Sequence, residues 1–345
     1  MKGLKILLMM ASMPVFLQVQ AQEKEPFLTK TFDKETIKNV VVKTSGGSIE
    51  VNGGNEGKAK VEVYVQANNG NGKRLSQQEI KERLSDYNLD ISVDNQKLSA
   101  IAKPKGNNIN WKRGLSISFK VFVPKSVSTD LNTSGGSIHL SNLSGQQSFK
   151  TSGGSLHVEK VTGDISGKTS GGSIHVSDSR DNINLETSGG SIRASNCGGT
   201  IKLKTAGGSL NLEDLNGSIH ATTSGGSVKA DNIKGELITG TSGGSMNLSN
   251  LACSLETSTA SGSVHVQLAQ LGKYVKIHSG GGHVDLQIPG GKGMDLSLKG
   301  NKVSASGLSN FKGSKEEDRI DGELNGGGTP VEVNVSGGNV SLTVQ

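Results

Sequence analysis

The hexapeptide Thr-Ser-Gly-Gly-Ser-Ile at residues 133–138 returns every 18 residues. Copies begin at Thr151, Thr169, Thr187, Thr205, Thr223 and Thr241, with Ala206 for Ser in the fifth, and a degraded Thr-Ala-Ser-Gly-Ser-Val begins at Thr259. Another copy, Thr44 to Ile49, sits far upstream. A short fixed period leaves a chain few options. Each repeat is one structural rung that buries its apolar face only against its neighbours, which is a solenoid.

With Thr counted as position zero, position five is always Ile, Leu, Val or Met, and position seven is Leu, Val or Ala. Polar residues occupy four, six and eight. This period-two alternation specifies a half-buried strand, not a helix. A second alternating run covers positions thirteen to seventeen, with Ile165, Ile183, Ile201, Ile219, Leu237 and Leu255 at fourteen. Position ten adds Leu143, Val161, Leu215, Ile233 and Leu251.

Gly-Gly at two and three is expected to bend the chain through its tolerance of positive φ. Gly at twelve (Gly145, Gly163, Gly199, Gly217, Gly235) marks the opposite corner. Each rung therefore has two short strands and two turns. Equivalent strands pair in parallel about 4.8 Å apart. The fold class is all-β: a parallel β-helix or solenoid with an aliphatic core. Thr at position zero is expected at the inner corner, its hydroxyl bonded to backbone in a Thr ladder.

Hydrophobic residues make up 32% of the chain, low enough to suit disorder, but their strict alternation argues for a stacked core. The 49 glycines are absorbed by the turns.

In chain order, residues 1–21 read as a secretory signal: Lys2 and Lys5, an apolar run from Ile6 to Val19, and Val-Gln-Ala21 as a small-residue cleavage site. That implies export to the periplasm, outer surface or exterior. No other stretch approaches transmembrane length. Residues 22–130 read as a β-rich cap with one rung-like segment at 40–51 and a helix over about 76–86, opened by the capping box Ser76 to Glu79. Strands are expected at 89–93, 97–102 and 115–123. Residues 131–345 form the solenoid, looser after 270, with a last rung at 331–344. Cys197 and Cys253 lie three rungs apart, about 14 Å, too far for a disulfide. Both are expected to be free and buried.

The repeated Ser-Gly-Gly-Ser-[Ile/Leu/Val] rung, the entry Phe-Lys-Val-Phe-Val-Pro124 and the C-terminal Leu324-Asn-Gly-Gly-Gly and Val-Ser-Gly-Gly-Asn-Val340 resemble bacterial β-strand-repeat proteins, a "putative adhesin" family also described as a domain of unknown function. The resemblance covers residues 40–345. It implies a surface-binding role and carries no catalytic residues and no cofactor.

Several chemistries can be weighed against the residues. Position six stacks His139, His157 and His175, three imidazoles that could share a metal. No carboxylate column accompanies them, so a solvated polar face is the expectation and no metal is assigned. Calcium-binding repeats need an Asp that is missing after Gly-Gly here. The alternative function is a β-helix polysaccharide lyase or hydrolase, which needs paired carboxylates in a groove. The nearest cluster is Asp178, Arg180 and Asp181, where Ser179 replaces the apolar residue at ten and Asp181 the Gly at twelve.

The sharpest binding candidate is the loop 103–114. Seven Lys or Arg and no acid occur from Asn95 to Thr129, and the single tryptophan is there. Lys103, Lys105, Trp111, Lys112 and Arg113 would suit an anionic glycan or another envelope or extracellular macromolecule. Nucleic acid is not expected, because the rungs from 133 to 278 carry 11 basic and 10 acidic residues and form no electrostatic stripe. The expectation is an exported, non-enzymatic binding or structural protein.

Overall fold

The computed structural model describes residues 25–55, 57–68, 75–106 and 113–345. They form 27 strands and one α-helix. The signal-like segment 1–21, Trp111 and Lys112 lie outside the described residues.

Identical positions of successive repeats are vertical neighbours. The strands Ile138–Ser141, Leu156–Glu159, Ile174–Ser177 and Ile192–Ser195 pair in parallel, and Ile138, Leu156, Ile174, Ile192 and Leu210 form one file. None of the five exceeds 1% exposure. The second strand of each rung makes the facing file, with Ile165, Ile183, Ile201 and Ile219 in register and buried. One aliphatic core runs the length of the stack. Rungs up to Thr205 have the expected two strands. From Leu210 on, the corner residues also pair with their neighbours, Leu215 against Ile233 for instance, so each rung becomes one long strand.

Two corners turn each rung. One holds a column at position nine with φ between 49° and 55°: Asn142, Lys160, Asp178, Asn196, Asp214, Asn232 and Asn250. Asn and Asp are the non-glycine residues that best tolerate this left-handed conformation. Gly at position twelve completes the corner, with φ of 102–132° at Gly145, Gly163, Gly199, Gly217 and Gly235.

The Gly-Gly corner works by a different cause than expected. Neither glycine of the regular rungs has positive φ. The second is required because the rungs touch there: a Cβ on Gly154 would sit 2.0 Å from the Gly136 carbonyl oxygen, and one on Gly190 2.2 Å from that of Gly172. The first is loose, since a Cβ on Gly153 would meet nothing nearer than 3.6 Å. The degraded copy agrees, placing Ser261 first and keeping Gly262 second.

The same carbonyl anchors the Thr ladder. Thr151, Thr169, Thr187, Thr205, Thr223 and Thr241 each donate to the second-glycine carbonyl of the preceding rung at 2.7–2.8 Å. Each hydroxyl accepts the N–H of its own rung's second glycine at 3.2–3.3 Å. A buried hydroxyl with both capacities used is stabilising where an unpaired one would cost about 1–3 kcal/mol.

The ends are stacked out of sequence order. Asn39–Thr44 lies between Ser128–Thr133 and Lys97–Pro104, and Ile49–Gly53 between Ile138–Ser141 and Leu115–Val123. The upstream copy is thus the direct neighbour of the first regular rung. At the other end, Thr329–Val335 and Asn339–Val344 insert between the coil ending at Ile288 and the segments Met294–Lys299 and Lys302–Ser306. This corrects the expectation that 331–344 is the last rung: 294–306 lies outside it. Antiparallel strands then terminate the stack, Leu28–Phe32, Ala59–Ala67 and Tyr87–Asp94 at one end and Phe311–Lys315 and Arg319–Leu324 at the other. The helix spans Gln77–Leu84, with Ser76 and Glu79 forming the expected capping box.

Cys197 and Cys253 are free and buried. Burial pushes the Cys197 thiol up and the Cys253 thiol up to about 12. Neither thiol should react with a disulfide reagent at pH 8 in the native protein, and both should react after unfolding. Rapid native labelling of either would contradict this packing.

Candidate functional site

Three surface regions gather chemistry-bearing side chains. The first is the outward column at position six. Glu50, His139, His157, His175, Arg193, Asn211 and Lys229 follow one another in register. The three imidazoles stack face to face, with centroids 5.8 and 6.2 Å apart and planes at 17° and 24°. Burial, then the neighbouring His139 and His175, holds the His157 pKa below the usual imidazole range. Stacked faces do not converge their nitrogens, and no group of three His, Cys, Asp or Glu among the described residues could hold a metal. Further along, His265 Nδ1 lies 2.9 Å from Asp285.

The second region flanks the basic loop. Lys103 is the penultimate residue of the strand Lys97–Pro104 and is exposed, as is Lys105, whose backbone N–H donates to the Asp86 carbonyl at 2.9 Å. Arg113 Nη2 lies 2.8 Å from Glu82 Oε1 on the helix, and this bond raises the guanidinium pKa. Sequence reading missed Glu82 because it lies 31 residues away. So one of the three described cations is already partnered, while Lys103 and Lys105 face solvent.

The third region is a depression of about 490 Å³ along the left-handed corner, spanning rungs from Arg180 to Lys234. Arg180 and Asp181 of the cluster noted in the sequence line it, and Asp178 flanks it through its bond to Asn196. Arg180 lies over Gly198, with Nη1 donating to the Asn196 carbonyl at 2.9 Å and Nη2 to Asn196 Oδ1 at 3.3 Å. Asn196 Nδ2 donates to Asp178 Oδ1, and Asn232 Nδ2 to Asp214 Oδ1, both at 2.5 Å. Ser179 is fully buried, but its hydroxyl accepts from the Val161 N–H and donates to the Ser177 carbonyl. Asp181 takes φ 82° where the rungs on either side have Gly, and its carboxylate accepts the Gly163 N–H at 2.9 Å.

Asp181 and Asp214 are both exposed and both accept hydrogen bonds. Glycoside cleavage needs one carboxyl kept protonated by an apolar setting. Neither residue has one. The depression offers donors and acceptors for binding. Sequence reading found its Asp178–Asp181 flank and missed Gly198, Asp214, Asn216, Asn232 and Lys234. The signal was present as position eleven, where Gly198 interrupts Ser144, Thr162, Arg180, Asn216 and Lys234.

No helix among the described residues is long and apolar enough to cross a membrane. No curated protein matches the chain. The solved structures similar to it include two crystal structures. One is described as a "putative cell adhesion protein" from Clostridium sporogenes, 12% identical, covering 93% of this chain and 100% of that one with a TM-score of 0.19. The other is a "putative adhesin" from Bacteroides fragilis, 11% identical, covering 92% and 96% with a TM-score of 0.23. At these scores neither superposition carries an argument about a site. Residues 198–343 match the family model Toastrack DUF4097. That segment is similar to the Toastrack DUF4097 domain, a domain of unknown function.

Proposed function

We infer that this is an exported, adhesin-like surface protein that binds without catalysis, presenting a rigid β-solenoid face. The supporting observation is the in-register file of outward side chains, from Glu50 through His139, His157 and His175 to Lys229, on a stack fixed by its Thr ladder. Such a face suits many weak contacts along an extended partner. Export rests on the segment 1–21, read from sequence. The non-enzymatic reading is supported by the corner carboxylates, which are exposed and tied into the stack.

The partner best matched to the basic loop is an anionic glycan, contacted by Lys103, Lys105, Trp111, Lys112 and Arg113. The chain lacking residues 1–21 should be retained on acidic glycans in an array that also carries matrix proteins. Trp111→Ala with Lys112→Ala should abolish that retention, an effect of about tenfold or more in affinity. Unchanged retention would remove the loop from the binding surface.

A further inference from the structure

We propose that the corner depression is a saccharide-binding site for a neutral, polyhydroxylated chain lying along the stack axis.

The depression occurs where the repeat breaks its own rules. Ser179 and Cys197 replace the branched apolar residues at position ten in two successive rungs. Gly198 supplies no side chain at position eleven between Arg180 and Asn216, and the Arg180 side chain lies across it to form the floor. Asp181 holds φ 82° at a position that is Gly in the rungs on either side. A non-glycine residue in this conformation is strained, and such strain concentrates at binding sites. Departures from an otherwise consistent pattern are where function is expected.

The lining selects the ligand. Arg180 and Lys234 balance Asp181 and Asp214, so the site has no net charge to attract an anion. Asn216 and Asn232 add amides, which donate and accept. Asn232 spends one N–H on Asp214 Oδ1, and Arg180 spends two on Asn196. Among the described residues, Asn216 and Lys234 form no side-chain hydrogen bond and both are exposed. Such alternating donors and acceptors match vicinal hydroxyls, which both donate and accept. The polar rim gives no hold to a lipid or an apolar peptide side chain. From Arg180 to Lys234 is three rungs, about 14 Å, long enough for two or three pyranose units.

This site is separate from the basic loop and does not depend on it. Wild-type chain is titrated with neutral oligosaccharides (cello-, xylo-, manno- and galacto-series) and with oligogalacturonate, using saturation-transfer NMR and calorimetry. At least one neutral series should bind. Asn216→Ala with Lys234→Ala should weaken it about tenfold or more. Position eleven already carries Ala252 in a neighbouring rung, so this variant should fold. Gly198→Thr, which places at this position the residue type Thr162 supplies elsewhere and displaces the Arg180 side chain from the floor, should weaken binding equally; the nearest neighbours of its Cβ are the movable Arg180 side chain at 3.2 Å and the Asn216 carbonyl at 3.3 Å. Trp111→Ala with Lys112→Ala should leave neutral binding unchanged, which separates this site's failure from that of the loop. Binding of oligogalacturonate alone, of no saccharide, or of a neutral series indifferent to both corner variants overturns the proposal.

Discussion

Gly190→Ala is expected to cost about 3–5 kcal/mol, while Gly189→Ala next to it should change stability by less than about 1 kcal/mol. The added methyl on Gly190 would lie 2.2 Å from the Gly172 carbonyl oxygen. That oxygen is also the acceptor for Thr187, at 2.8 Å. The rungs must part to admit the methyl, so the change combines overpacking with a lost buried hydrogen bond. A Cβ on Gly189 would meet the Gly171 and Ser170 carbonyls at 3.5 Å, ordinary contact. Neither glycine has positive φ, so conformational strain does not distinguish them. Urea midpoints of the two variants provide the check. Equal midpoints would show that the rungs do not meet at the second glycine.

That pair of neighbours also shows what was legible in advance. The 18-residue period gave the files at positions five and seven, the two-strand rung, the buried Thr and the unpaired cysteines, because all of these follow from alternation and spacing. The role of the second glycine was not legible. A turn that needs positive φ and a backbone contact between rungs both write Gly, and only coordinates tell them apart. Gly at position twelve marked the opposite corner in the sequence, but the column of Asn and Asp at position nine carried no apolar signal, so its left-handed part in that corner went unread. Lys160 in that column obscured it further. The inserted coils at each end were hidden for another reason. The strands outside them, Lys97–Pro104 and Lys302–Ser306, lack the Thr-Ser-Gly-Gly motif, so nothing local reveals their register.

The candidate sites follow the same division. Asp178, Arg180 and Asp181 were recognisable because Ser179 and Asp181 break their columns within that one rung. Gly198, Asp214, Asn216, Asn232 and Lys234 each look ordinary in their own rung. They become one depression only when three rungs are stacked. Arg113 looked like a free cation until the helix brought Glu82 to it.

Ile192→Asp tests the inward file most severely. Ile192 is 1% exposed, between Ile174 and Leu210. Truncating such a residue to Ala costs about 2–5 kcal/mol, and an unpaired buried carboxylate adds several more, so a loss above about 5 kcal/mol is expected at pH 7. Arg193→Asp, one residue on, points outward between His175 and Asn211 and should stay within about 1 kcal/mol of the native chain. The pH dependence identifies the cause. Burial raises the folded-state pKa of the new Asp above its unfolded value, so the penalty is full above the folded pKa and shrinks as pH falls toward the unfolded one. The deficit of Ile192→Asp relative to Ile192→Ala should therefore narrow from pH 8 to pH 4. Should Ile192→Asp match Arg193→Asp in urea at pH 7, position five would not face the core, and the stacking of rungs every 18 residues would be lost with it.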